Sequence, residues 1–472
     1  MIGRSVKSGA GPEATRRAAT RSRILVTTSA LLIGAGALLS DQALCGSSKP
    51  PTVASIQWPE GTVTVPVENV DGVLIVKATV SSGNALRGSA GKTDSTSARD
   101  TTGWFAVDTG AGYLALDSQL AIAMGVEDSL PAHSIDVAQR PVERFRIGDL
   151  AIDRVQPVLL FQAQLLSRVT DRPVLGLIGH GLIRDRALWI DYQHQVLALI
   201  PAGSSDERDD ASAIGDSRRL LAGTLSSAAI PVRFPMLRDG KVLVEARVTP
   251  IHGGPTTPWL TLALDTGASK CTLFEDTVES LAPTAAWKPE IHGLVAPTLL
   301  ESSAARLCKV KSVEIRGASG IVAAGQVEVA LIRNALSREL ETIAQEPVHG
   351  LLGFSFLERF RVACDYPHRV LWLDPVPDFD EHRAAEPAQI GLQYERLEDA
   401  VRVVAVIEGS PAAHAGIQPG DVLVSVEGVP AASLGAAELG HRLEGASGST
   451  VTVVTRRGTL EQTHRLKRRR LL

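Results

Sequence analysis

Cysteine is scarce in this chain, with four residues in 472. Cys271, Cys308 and Cys364 make an odd number within one region, so no disulfide framework is implied and buried free thiols are expected. They have no CxxC pair and no companion histidines, which argues against a zinc site, and neither metal nor cofactor is expected. A strong charge of either sign is also missing. The formal net charge is −4, which leaves no basic field for nucleic acid, so no nucleic-acid partner is expected. The local exceptions are the N-terminus and Arg465 to Arg470, the latter read as a solvated basic tail. Long hydrophobic runs are lacking too. The N-terminal apolar run, Ile24 to Leu39, is short of the roughly 20 residues that span a bilayer.

That run follows a basic stretch (Arg16, Arg17, Arg21, Arg23) and precedes small and polar residues, the pattern of an export signal over residues 1–45. Cleavage is expected ahead of permanent anchoring, and an uncleaved anchor would be the one contact with a membrane. Cys45-Gly46-Ser47-Ser48 has the look of a lipoprotein start, but Leu44 stands where such signals need a small residue. The expected location is the periplasm or cell envelope of a bacterium.

A length of 472 residues exceeds a single core and predicts about three folded units. The middle of the chain is a duplication. Gly176 to Leu199 aligns without a gap on Gly350 to Leu373, an offset of 350 − 176 = 174, and brings Asp191-Tyr192 onto Asp365-Tyr366. Upstream, the run from Asp71 matches the run from Asp239, and the segment from Trp104 matches that from Leu260. Each copy is rich in β-branched runs, with Val73 to Val80 and Val242 to Val248 as the clearest strands. Helical spacing is confined to Asp117 to Met124, Phe274 to Leu281 and the residues after Gly179 and Gly353.

The predicted organisation is a first lobe over 60–201, a polar linker over 202–226, a second lobe over 227–375, a linker over 376–389 and a small unit over 390–472. Ser81 to Gly103, rich in Ser, Gly, Thr and Asp, is predicted to be a hairpin insertion of the first lobe.

Each copy carries Asp-Thr-Gly-Ala at the end of an apolar strand: Asp108-Thr109-Gly110-Ala111 and Asp265-Thr266-Gly267-Ala268. Each is followed later by an apolar-apolar-Gly element ending in Gly179 or Gly353. A single Asp-Thr-Gly reads as an ordinary turn. Two copies in matched context read as one site. In this pattern the chain resembles the aspartic proteases, more closely their retroviral-type branch, over about Pro66 to Pro375.

The resemblance implies a mainly β, bilobal acid-protease fold in which Asp108 and Asp265 share a site and act on peptide or unfolded-protein substrates. It also implies that Thr109 and Thr266 cross-link the lobes beneath them. Paired carboxylates fit this chemistry because they cannot both ionise easily and so share one proton; this class is the stock example of that effect. Pepsin-like enzymes carry Ser or Thr where this chain has Ala111 and Ala268. Loss of that donor predicts raised carboxyl pKa values and an optimum of about pH 5–7. Gly112 stands where the second copy has Ser269, and the stretch between Asp-Thr-Gly and apolar-apolar-Gly is roomier in the second lobe (Trp287 to Ala304) than in the first (Ala132 to Arg144). A single flap from the second lobe is expected.

Beyond 390, Ser410-Pro411-Ala412-Ala413, Ala415-Gly416-Ile417 and Gly420-Asp421 punctuate alternating strands, and the unit resembles the PDZ domains of bacterial envelope proteases. The resemblance implies an α+β fold that takes C-terminal peptides as an added strand at Gly391, Leu392, Gln393 and Tyr394. Two further readings are a non-catalytic peptide-binding scaffold and a protein whose lobes pair between two chains.

Overall fold

The computed structural model describes residues 56–82, 100–130, 135–203, 210–251, 254–279, 287, 290–297, 302–333, 335–379, 388–397 and 399–472. The chain is mainly β, as its β-branched runs predict, with 48% strand and 16% helix. The expected export signal and residues 83–99 of the expected insertion lie outside the described residues.

In the first lobe, Val73–Ser81 is buried on both faces and pairs antiparallel with Asp100–Val107. On the other side of Asp100–Val107, Val174–Ile178 runs parallel, with Ile178 opposite Val107. The second lobe repeats this plan. Leu243–Pro250 pairs with Leu260–Leu264, which Gly350–Leu352 flanks in parallel, with Leu352 opposite Leu264. Asp108 and Asp265 therefore each leave the end of a strand beside the Gly that ends its neighbour. Both lobes continue with a short strand and a helix, Leu114–Asp117 with Ser118–Ala123 and Cys271–Phe274 with Glu275–Val278. Asp117 caps the first of these helices by accepting from the Gln119 and Leu120 N–H groups.

The lobes differ in their outer strands. In the first, Val142–Ile147 and Leu150–Val155 have 6 residues each. In the second, Ser302–Arg316 has 15 residues and Ile321–Ile332 has 12, and Glu290–Pro297 is added as an edge strand beside Ser302–Arg316.

A six-stranded sheet joins the two lobes. Arg186–Asp191 of the first lobe pairs antiparallel with Phe360–Asp365 of the second, with Trp189 opposite Ala363. The lobes thus close on each other within one chain. The polar linker expected over 202–226 is in part folded. Residues 204–209 are outside the described set, but Asp210–Leu220 is a helix lying on this sheet. Its apolar stripe, Ile214, Leu220 and the following Leu221, packs with Trp189 and Trp372, and Ser217 Oγ accepts from Trp372 Nε1 at 3.0 Å. The low apolar content hid a one-faced helix.

The third unit begins before residue 390, because the Ala388 N–H donates to Gly445 O (2.8 Å) and the Gln389 N–H to Arg469 O (2.9 Å). Its strands Leu392–Arg396, Val401–Val406, Val422–Val426, Thr450–Arg457 and Leu460–Lys467 form one sheet around the helix Ala436–Leu443. The expected basic tail is mostly built into it. Arg465 to Lys467 complete the last strand, and Arg468 is 8% exposed. The Arg468 guanidinium donates to the Leu443 and Arg442 carbonyls at the helix C-terminus, where four carbonyls lack helical partners and a cation is favourable.

Candidate active site

The two Asp-Thr-Gly loops meet across the lobe boundary with near two-fold correspondence. The Gly110 N–H donates to Asp108 Oδ1 at 2.7 Å and the Gly267 N–H donates to Asp265 Oδ1 at 2.8 Å. A β-carbon at Gly110 would stand 3.0 Å from the Asp265 carboxyl carbon, and one at Gly267 would stand 3.1 Å from that of Asp108. Each glycine is therefore pressed against the opposite aspartate, an approach that a larger residue would obstruct.

Beneath the carboxyls, Thr109 and Thr266 exchange hydrogen bonds. The Thr109 hydroxyl donates to Leu264 O (3.0 Å) and accepts from the Thr266 N–H (3.0 Å), while the Thr266 hydroxyl donates to Val107 O (2.8 Å) and accepts from the Thr109 N–H (3.1 Å). Four buried bonds between chain segments 155 to 159 residues apart fix the relative position of the aspartates.

Gly179 and Gly353 pack against the loops from the side. A β-carbon at Gly179 would meet Ala111 O at 2.6 Å, and one at Gly353 would meet Ala268 O at 2.7 Å. The next N–H groups, of His180 and Phe354, donate to those carbonyls. Ala111 and Ala268 are fully buried. All ten residues singled out in the lobes are thus brought together.

The carboxyls are removed from water, Asp108 being 1% exposed and Asp265 0%. Their Oδ2 atoms have no hydrogen-bond partner among the described residues. Burial pushes the Asp108 carboxyl up to about 6, opposed by the Gly110 N–H and the charge of Lys241. Burial, followed by the negative charge of Asp108, holds Asp265 well above the usual carboxylate range. Both shifts favour one shared proton on the pair over two full charges. Burial, rather than the missing donors at Ala111 and Ala268, is the main cause of the raised values.

No group of His, Cys, Asp or Glu among the described residues is arranged to hold a metal ion. Cys271, Cys308 and Cys364 are buried and free.

The flanks of the loops were not singled out by the sequence. Asp239 to Lys241, just before Leu243–Pro250, lies against the first loop: a β-carbon at Gly112 would be 2.8 Å from Asp239 O. The Lys241 ammonium is fully buried and pairs with the Asp239 carboxylate. His180 packs on Gly240 and stacks edge-on against Tyr366, whereas its counterpart Phe354 packs on Gly72 and against Tyr192. The visible signal was the mismatch of the two copies, Lys241 standing where the first has Val73 and His180 where the second has Phe354.

The roomier stretch in the second lobe forms the hairpin Glu290–Pro297 and Ser302–Arg316, whose connection, 298–301, lies outside the described residues. The third unit sits on this hairpin. The Glu408 N–H donates to His292 O (3.1 Å), and the Gln393 side chain bonds both ways with the Val295 backbone, accepting at 2.8 Å and donating at 3.1 Å. Ile407 belongs to the second lobe's hydrophobic cluster, which Leu471 and Leu472 also touch.

Gly391, Leu392, Gln393 and Tyr394 are consequently not an open peptide groove. Leu392 and Gln393 are each 1% exposed although Leu392–Arg396 is an edge strand. Arg396 pairs with Asp171 (3.4 Å) and Glu395 with Arg168 (3.2 Å), both by the helix Gln164–Thr170 of the first lobe. The edge is occupied by the chain's own lobes.

Comparison with known proteins gives a family for one part of the chain. Residues 402–457 match the PDZ domain family, so the third unit is a PDZ domain. No curated protein sequence matches the chain at a significant level.

Among solved structures, the photosystem II D1 C-terminal processing protease is 26% identical over 19% of this chain and 25% of its own, with a TM-score of 0.18. The chain therefore spans about a quarter of that protein's length. The PDZ domain of a carboxy-terminal protease from Vibrio cholerae, solved with a peptide, is 20% identical over 18% of this chain and 94% of its own, TM-score 0.17. An aspartic proteinase from Irpex lacteus is 12% identical over 67% of this chain and 98% of its own, TM-score 0.37. These likenesses are too distant to transfer an activity.

Proposed function

We propose that this protein is an aspartic endopeptidase, with Asp108 as the base and Asp265 as the acid. The observation that carries the reading is the pair of buried carboxyls brought together by matched loops, their Oδ2 atoms without a hydrogen-bond partner among the described residues. A water between those oxygens would lose a proton to Asp108 while Asp265 donates to the scissile carbonyl oxygen, and attack would proceed without an acyl-enzyme. Extended peptide or unfolded-protein segments are the fitting substrates.

The PDZ domain has a regulatory part in this proposal, because its peptide edge is spent on the lobes and on the second lobe's hairpin. A C-terminal peptide would have to compete with those contacts to bind. The N-terminal segment supports export to the cell envelope.

Burial of both aspartates also favours a second reading, a closed peptide-holding scaffold without catalysis. Incubation of a denatured protein with the wild type, Asp108→Asn and Asp265→Asn separates the two. Cleavage by the wild type alone supports the endopeptidase, and binding without cleavage by any of the three supports the scaffold.

A further inference from the structure

The two lobes present the same loops to the dyad but different charges beside it. In the first lobe the residue two after Asp71 is Val73, fully apolar and 1% exposed. In the second, the residue two after Asp239 is Lys241, with its side chain 0% exposed. The backbone dictates where that ammonium starts. The Leu264 N–H donates to Val242 O at 2.9 Å, so the register of Leu243–Pro250 on Leu260–Leu264 continues toward Lys241 opposite Asp265. The same turn crosses to the other lobe, since Asp239 O lies against Gly112 of the first loop and Gly240 against His180.

Three further titratable side chains pack around the loops, and burial holds each in its neutral form. His180, from the helix His180–Ile183, is held down to about 4 by burial, then by the charge of Arg184. Tyr366 lies after Phe360–Asp365, and Tyr192, with Glu358 beyond it, lies after Arg186–Asp191. Burial keeps both phenols protonated. Lys241 is the buried cation that acts on both carboxyls, and its partner Asp239 offsets it in part.

We propose that Lys241 is a positioning residue of the dyad: its buried ammonium, which starts opposite Asp265 on a turn that also packs against the first loop, favours the pair holding one negative charge and one shared proton. The role rests on the endopeptidase reading and deepens it. The first lobe offers no matching cation, since Val73 stands at the corresponding place. Because an ammonium close to a carboxyl favours its ionised form, Lys241 also lowers the pH at which the pair becomes active.

The test is the pH profile of kcat/KM on a denatured protein for the wild type, Lys241→Met, Lys241→Arg and Asp239→Asn. Folding of each is checked by circular dichroism. Lys241→Met keeps the length of the side chain and removes its charge, and should move the acid limb and the optimum up by roughly one pH unit. Lys241→Arg should restore the wild-type limb. Asp239→Asn leaves the ammonium without its offset and should move the limb in the opposite direction. Opposed shifts are not what a general loosening of the fold would produce.

A folded Lys241→Met whose limb superimposes on that of the wild type would overturn the inference while leaving the endopeptidase in place. If Lys241→Met does not fold, an unshifted Asp239→Asn limb overturns it equally. A wild type that cleaves at no pH overturns the endopeptidase reading itself, and the inference with it.

Discussion

The two lobes are the same design with unequal edges. Their centres match bond for bond: Thr109 answers Thr266, Gly110 answers Gly267, and Gly179 answers Gly353. Their edges do not match. The first lobe presents His180, Val73 and Gly112, and the second presents Phe354, Lys241 and Ser269. The first has short outer strands, and the second a long hairpin covered by the PDZ domain. Chemistry that needs two carboxyls in contact is served by the symmetric part. On the proposed reading, the charge beside the carboxyls and the PDZ contact belong to the parts that differ.

The largest effect should come from breaking the symmetric centre. Asp108→Asn or Asp265→Asn is expected to reduce kcat by on the order of a thousandfold or more, equally for the two because they act as a unit. The same substitutions should stabilise the fold. Each folded-state pKa lies above the unfolded carboxylate value, so the native protein loses stability as pH rises from about 4 through the raised value near 6 at Asp108. Asparagine removes that loss, and thermal unfolding at pH 7 should show a gain of roughly 1–3 kcal/mol that vanishes near pH 4.

Next in size, Thr109→Val or Thr266→Val leaves a carbonyl and an amide of the other lobe unpaired in a buried place. A loss of about 1–3 kcal/mol is expected in urea unfolding, of similar size for both lobes.

A third comparison exchanges an edge rather than the centre. His180→Phe makes the first lobe resemble the second. The folded pKa of His180, about 4, is below its unfolded value near 6.5, so the native state loses stability as pH falls through that window. The variant should flatten the acid side of the stability profile, measured by thermal unfolding between pH 4 and 7.

The smallest effect is expected at the PDZ contact. Gln393→Ala removes both bonds to Val295 and should speed amide hydrogen exchange over Glu290–Pro297 without changing the global unfolding free energy by more than about 1 kcal/mol.

Much of this was legible in the sequence, and the reasons are local. The duplication, the Asp-Thr-Gly-Ala loops and the glycines Gly179 and Gly353 could be read because backbone geometry demands those residues at fixed places. The alternating strands of the third unit fell on either side of the turns that Ser410-Pro411 and Gly420-Asp421 announce. What escaped was tertiary. The helix Asp210–Leu220 has a narrow apolar stripe that means something only against Trp372. Arg468 reads as one more basic tail residue until the end of a neighbouring helix needs a donor. Gln393 reads as part of a peptide groove until the second lobe's hairpin arrives beside it. Lys241 was visible only as a mismatch between copies, with its burial hidden.

The most direct test of the account is the cleavage of a denatured protein by the wild type, Asp108→Asn and Asp265→Asn across pH, with and without a statine-type transition-state mimic. The account predicts cleavage by the wild type with an optimum of about pH 5–7, block by the mimic, and loss in either variant. Cleavage that persists in both variants would contradict it.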